Sequence, residues 1–258
     1  MLNAFKHWQA RRIIARSPIT PEQWQVAFAA LPLLRGLTPT EQQRLRELVI
    51  LFCHRKSFEG AHGLVITDEM LLVIALQACL PVLELGLEVY DGWHAVIVYP
   101  SGFAPEHTYI DEYGVEHSVQ SELSGEAWQH GPVLLSWDDA RVSGEVDGYN
   151  LVIHEFAHKL DMLNGAANGF PPLHADMDPA VWSRIFAQAY ADFVRQVDQG
   201  TDPGIDDYAA ESPAEFFAVL SEVFFEKPKR LQRQYPAVYA QLKRYYRQDP
   251  AARIVGGM

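Results

Sequence analysis

Cysteine is scarce in this sequence. The 258 residues include two, Cys53 and Cys79, which is too few for a disulfide scaffold and lacks the close pairing of a thiolate zinc knuckle. Reduced thiols in a cytosolic protein are expected. Basic charge is also short: 21 Lys+Arg against 33 Asp+Glu leave a formal charge of −12 with histidine neutral. With no basic excess to release counterions, the charge disfavours phosphate-backbone binding as the main activity. Long apolar runs are missing. The most apolar stretch, 70–87, is interrupted by Gln77, Pro81 and Glu84, so no membrane span is expected. The N-terminus sets Lys6, Arg11, Arg12 and Arg16 among apolar residues and offers no unbroken signal core. A soluble, cytoplasmic protein is expected. There is no internal repeat, low-complexity tract or clear linker either. The composition is globular, with 48% hydrophobic and 21% charged residues, and the length is ample for a sizeable core.

Local signals order the chain into helices, a small sheet, and helices again. Pro21–Leu34 is amphipathic, and Thr38-Pro39-Thr40-Glu41 opens a helix with a cap, a proline in the first turn and a glutamate three residues on. A further helix is expected from Thr67 or Asp68 to about Cys79, ended by Pro81. Trp93–Tyr99 and Gly131–Trp137 read as strands, being rich in β-branched, aromatic and leucine side chains. Residues 101–130 between them are polar and irregular. The last 110 or so residues read as helical, with a loop-rich interval at 164–178. The expected fold class is α+β.

The chemistry concentrates in Asp147–Asp161, which contains His154-Glu155-Phe156-Ala157-His158. Asn150 or Asp147 can cap this segment, Val152, Phe156, Leu160 and Leu163 recur at helical spacing, and Gly165 follows as a stop. Residues i and i+4 stack one turn apart, so His154 and His158 can direct two imidazole nitrogens at one zinc ion. Glu155, one step round the helix, can take a proton from the attacking water and pass it to the leaving amine.

A catalytic zinc site needs a third protein ligand. The metzincin extension would require Gly at 161 and His at 164, where this chain has Asp161 and Asn164. No Glu occurs between Glu155 and Glu211; beyond it come Glu211, Glu215, Glu222 and Glu226. Glu215 lies one turn into a helix opened by Ser212-Pro213, flanked by small Ala214 and Ala218, and spacing places it ahead of Glu211 and Glu222. The same Ser-x-x-Glu pattern is also a capping box, in which Glu215 would merely bond the helix start. Asp161 could orient a ligand imidazole, and Glu222 could do similar work; either could also face solvent.

His154-Glu155-Phe156-Ala157-His158-Lys159-Leu160-Asp161, followed by Asp207-Tyr208-Ala209-Ala210 and Pro213-Ala214-Glu215-x-Phe217-Ala218-Val219-Leu220-Ser221-Glu222, resembles the Mlc titration factor A family. These are bacterial cytoplasmic zinc peptidases of gluzincin type, distantly similar to the catalytic domain of anthrax lethal factor. Leu80–Glu88, Gly131–Leu134 and Tyr246-x-Gln248-Asp249-Pro250 extend the likeness over about residues 20–250. The resemblance implies a zincin-like α+β fold with a small mixed sheet, an active-site helix bearing the motif and additional N-terminal helices, and such a fold would make Gly131–Trp137 the edge strand on which a peptide lies extended. It implies one domain over 1–258, with a helical N-terminal portion (1–85) and a catalytic core (86–250). His154, His158 and Glu215 would hold one Zn2+ per chain, Glu155 would be the general base, and Tyr208 would stabilise the oxyanion. The implied activity is peptide-bond hydrolysis, with aminopeptidase-like action among its forms, on a peptide or protein substrate. The implied partner is the repressor Mlc, linking the protein to the glucose phosphotransferase system. The alternative is a non-catalytic regulatory protein that sequesters a transcriptional repressor.

Overall fold

The computed structural model describes residues 2–102, 106–110, 116–120 and 125–253. Eleven α-helices and six strands are found among them: α1 (Leu2–Ala15), α2 (Pro21–Ala29), α3 (Pro39–Arg55), β1 (Ser57–Gly60), α4 (Asp68–Cys79), β2 (Ala95–Tyr99), β3 (Glu106–Ile110), β4 (Glu116–Gln120), β5 (Gly125–Ala127), β6 (Val133–Ser136), α5 (Trp137–Val142), α6 (Leu151–Asp161), α7 (Pro179–Asp198), α8 (Pro213–Glu226), α9 (Pro228–Gln234), α10 (Pro236–Tyr246) and α11 (Pro250–Arg253). None of these helices is long and apolar enough to cross a membrane.

The N-terminal helices follow their start signals. Thr38 closes a reciprocal capping box with Glu41, and Thr20 does the same with Gln23. The helix expected over Pro21–Leu34 is cut short. Pro32 has no N–H to donate and biases Leu31 away from helical angles, so α2 stops at Ala29 and Pro32–Leu34 forms a separate 3-10 turn.

The main sheet has the order β1-β2-β6-β5. β1, β2 and β6 run parallel, and β5 pairs antiparallel with β6 at the edge. Parallel neighbours need a crossover, and α4 supplies the one from β1 to β2. β2 and β6 fall within the segments expected to be strands, but β6 is an inner strand; the edge beside it is β5. The proposal that Gly131–Trp137 forms an edge is therefore corrected. Trp137 also leaves the strand to begin α5, where Ser136 caps the helix. The interval 101–130, expected to be irregular, contains the antiparallel pair β3–β4 and strand β5; its residues 103–105, 111–115 and 121–124 lie outside the described residues. β1 lies within 1–85, the portion expected to be helical.

Two helices pass through the centre. Every residue of α6 is buried, and α8 packs against it, buried from Phe216 onward. The apolar back of α6 is anchored by Phe156, whose ring meets Phe52, Tyr90 and Trp93 at centroid distances of 5.7, 5.2 and 5.7 Å. Removing rings of this size from water contributes about 2–3 kcal/mol each. An apolar anchor of this kind lets the opposite side of α6 carry polar groups without the helix shifting.

Candidate metal centre

Asn150 starts α6. Its Oδ1 accepts the Ile153 N–H at 2.9 Å, and its Nδ2 donates to Gln77 Oε1 and Glu226 Oε1 at 2.8 and 2.9 Å. The amide is thus fully engaged in a buried network, which fixes both the helix start and its rotation. One turn further on, His154 and His158 lie with ring centroids 4.8 Å apart. Ser212 Oγ caps α8 by accepting the Glu215 N–H at 3.1 Å. Only that half of the capping box forms. The Glu215 carboxylate turns instead to the imidazoles, with Oε2 3.0 Å from His154 Nε2 and 3.2 Å from His158 Nε2.

The two Nε2 atoms are themselves 3.1 Å apart, so the three donors form a nearly equilateral triangle. Three ligands placed tetrahedrally at zinc-like bond lengths of about 2.0–2.1 Å would be separated by about 3.3–3.4 Å. The residues present therefore fit a small cation in size and donor chemistry, with two imidazoles and a carboxylate facing one point. Glu211, the other candidate at this end of the chain, is exposed and stands outside the group.

The surrounding groups prepare the triangle for a cation. Burial alone would lower the basicity of His154, but hydrogen bonds to Glu215 and Glu222 raise it well above the usual imidazole value. Burial works against ionisation of Glu215 as well, yet the two imidazoles hold its carboxyl down at about 2. A cation held here by His154, His158 and Glu215 would compete with an imidazole proton and would find the carboxylate already ionised.

Glu222 is fully enclosed. Its Oε1 lies 2.8 Å from His154 Nδ1, and its Oε2 accepts the Asn150 N–H. One carboxylate thereby orients a ligand candidate and secures the start of its helix, and a proton on Nδ1 leaves the Nε2 lone pair facing the triangle. Asp161 is placed differently. Its Oδ2 accepts the N–H groups of Asn168 and Gly169, both at 2.7 Å. Neither its Oδ1 nor His158 Nδ1 has a hydrogen-bond partner among the described residues. Asp161 therefore orients no imidazole.

Glu155 is 4% exposed, and its Oε2 makes no hydrogen bond among the described residues. Burial raises its pKa, with Glu215 and Glu222 adding to the shift and the two imidazoles opposing it. A carboxylate in this setting is a stronger base than one in water. Tyr208 is 41% exposed on a 3-10 turn, with its N–H bonded to Asp206 Oδ1 at 3.0 Å and its ring centred 6.0 Å from that of His154. Burial, then the neighbouring carboxylates of Glu215, Glu211 and Glu155, push the phenol up to about 12. It remains a hydrogen-bond donor throughout the neutral range.

Two further residues shape the site. A Cβ at Gly125 would come within 2.5 Å of Glu155 Oε1 and 2.6 Å of Leu151 Cδ1, so glycine lets β5 pass directly over the base without displacing those side-chain ends. A glycine interrupting a strand is a signal of close approach, but the polar sequence around it hid the strand. Lys159 fastens the turn between β5 and β6 to α6, donating to the carbonyls of Trp128 and Gly131. Its position beside the motif gave no hint of those partners.

The known proteins most relevant to this geometry point the same way. Residues 5–247 match the family described as glucose-regulated metallo-peptidase M90. The chain is 45% identical over 235 residues to Mlc titration factor A of Yersinia pestis (strain Pestoides F), covering 90% of this chain and 86% of that protein. The same figures hold for Mlc titration factor A of Yersinia pseudotuberculosis (serotype O:1b, strain IP 31758). A match to nearly the whole chain, together with these relatives, places the protein in the M90 metallopeptidase family, the family of the Mlc titration factors A.

Proposed function

We propose that the protein is a zinc-dependent peptidase with a zincin-like fold, its metal held by His154, His158 and Glu215. The observation that carries this reading is the 3.0–3.2 Å triangle of donor atoms with the buried Glu155 carboxylate beside it. Two imidazoles and a carboxylate form a common catalytic zinc set, which leaves a coordination position open. A bound zinc ion supplies Lewis acidity, lowering the pKa of a water to about 7 and polarising a carbonyl. Glu155 accepts the proton of the attacking water at its carboxylate and returns it to the leaving amine. The Tyr208 hydroxyl donates to the oxyanion as charge develops on the substrate carbonyl. β5, the edge strand above Glu155, offers backbone groups to an extended peptide. We read residues 1–258 as one domain, supported by the pairing of β1, from the N-terminal portion, with β2. The free thiols of Cys53 and Cys79 accord with a cytoplasmic location.

Protein purified without chelator is expected to contain one zinc per chain by elemental analysis. It should hydrolyse either an aminopeptidase-type amide or an internally quenched peptide, lose that activity to chelation, and recover it with added zinc. Absence of zinc, or activity indifferent to its removal, would overturn the reading. Tyr208→Phe is expected to lower kcat by about 10²–10³-fold. KM and zinc content should change little, because the hydroxyl acts on charge that appears only in the transition state. Steady-state kinetics on the metal-loaded variant measure this.

A second reading rests on the name of the relatives, Mlc titration factor A: the protein binds the repressor Mlc and relieves repression. It is compatible with catalysis and can be tested separately.

A further inference from the structure

The candidate ligands stand on two helices, and something must fix the distance between them. α6 contributes His154 and His158, whereas Glu215 belongs to α8. Metal affinity is sensitive to displacements well under an ångström in such a set, so a rigid link between the helices matters as much as the ligands.

Asp161 ends α6, one turn beyond His158, and is fully buried. Its Oδ2 receives two backbone N–H groups, from Asn168 and Gly169, at 2.7 Å each. Hydrogen bonds to an ionised carboxylate are about twice as strong as neutral ones. They draw the loop that follows α6 tightly against its end. Gly169 has φ +76°, and a Cβ there would fall 2.3 Å from Pro213 O and 2.9 Å from Pro213 C. The loop backbone therefore lies directly on the first turn of α8, two residues before Glu215. From the other side, the Gly169 carbonyl accepts the Trp182 indole N–H at 3.2 Å. That indole is fully buried and stacked on Phe186 at 4.1 Å. The contacts run without a gap from the end of α6, through Gly169, to the start of α8.

We propose that Asp161 is a positioning residue of the metal centre. Its carboxylate, acting through the Asn168–Gly169 backbone, sets the separation between the helix of His158 and the helix of Glu215. The inference rests on the metal-centre reading above.

Two variants test it, with Zn2+ and Co2+ as probes: Asp161→Asn, which keeps the shape but removes the charge, and Gly169→Ala, which forces a side chain against Pro213. Each is expected to bind zinc about 10–100-fold more weakly in chelator competition. Each should also shift the visible absorption of the Co2+ form, while the far-ultraviolet circular dichroism stays that of the parent. A merely structural role would lower Tm and leave zinc affinity and the cobalt spectrum unchanged; that result in a folded Asp161→Asn protein overturns the proposal. Weakened zinc binding in Asp161→Asn with parental binding in Gly169→Ala also overturns it, because Asp161 would then act on His158 directly. If the parent protein binds neither ion, the metal-centre reading itself has failed, which is a separate result.

Discussion

Glu155→Gln is expected to fold, to take up its metal, and to hydrolyse peptides about 10²–10⁴-fold more slowly than the parent. Glutamine has the volume of glutamate, so the space beneath Gly125 stays filled and α6 keeps its apolar anchor at Phe156. The triangle does not include Glu155, so metal content should be unchanged. What disappears is a buried base whose affinity for a proton has been raised by its surroundings. An amide cannot accept the proton of the attacking water or deliver it to the leaving amine. Elemental analysis and single-substrate kinetics on the same preparation check both halves, and parental activity in a metal-loaded Glu155→Gln protein would remove Glu155 from the mechanism. The variant also separates the two proposed roles. If the protein captures Mlc through its surface, Glu155→Gln should retain the repressor in a pull-down while failing to cleave peptides.

Glu215→Ala is expected to lose the metal. The loss should exceed the roughly 10–100-fold in affinity that substitutions behind a ligand typically cost, since here a donor itself is removed. In the metal-free protein the same change leaves His154 and His158 without the carboxylate that faces both of them. Thermal unfolding with and without zinc gives a clean measurement. A ligand that binds only the folded state stabilises it by about 2.7 kcal/mol at 100 times its dissociation constant. The parent's Tm should therefore rise with added zinc and that of Glu215→Ala should not. A full zinc-dependent rise in the variant would transfer the third position to another carboxylate.

Much of this site was legible because its information is local. Helical spacing placed His154 and His158 on one side of a capped helix, and Ser212-Pro213 announced the helix that carries Glu215. Sequence could not decide which way the Glu215 carboxylate turns, because the cap and the triangle lie at opposite ends of the same rotamer choice. Only the arrival of α6 settles it. Glu222 and Asp161 show the same limit in opposite senses. Both were candidates to orient an imidazole; Glu222 lies 2.8 Å from His154 Nδ1, while Asp161 bonds a loop seven and eight residues further along. The sheet was read in part. β2 is a half-buried strand rich in Val, Ile and Tyr and β6 is a fully buried, mainly aliphatic one, but β5 has three residues, begins with glycine and sits in a polar stretch. Its place at the edge comes from its partner β6, not from any propensity of its own.

The division of the three donors between two helices also has a kinetic consequence. His154 and His158 are four residues apart and come into line as soon as one helix forms, an event of about a microsecond or less. Glu215 is 61 residues from His154, and loop closure over that span carries an entropic cost that must be met before the contact stabilises anything. During refolding, a two-nitrogen site should therefore precede the three-donor site. Full-strength metal capture would then mark the moment at which α8 has docked on α6.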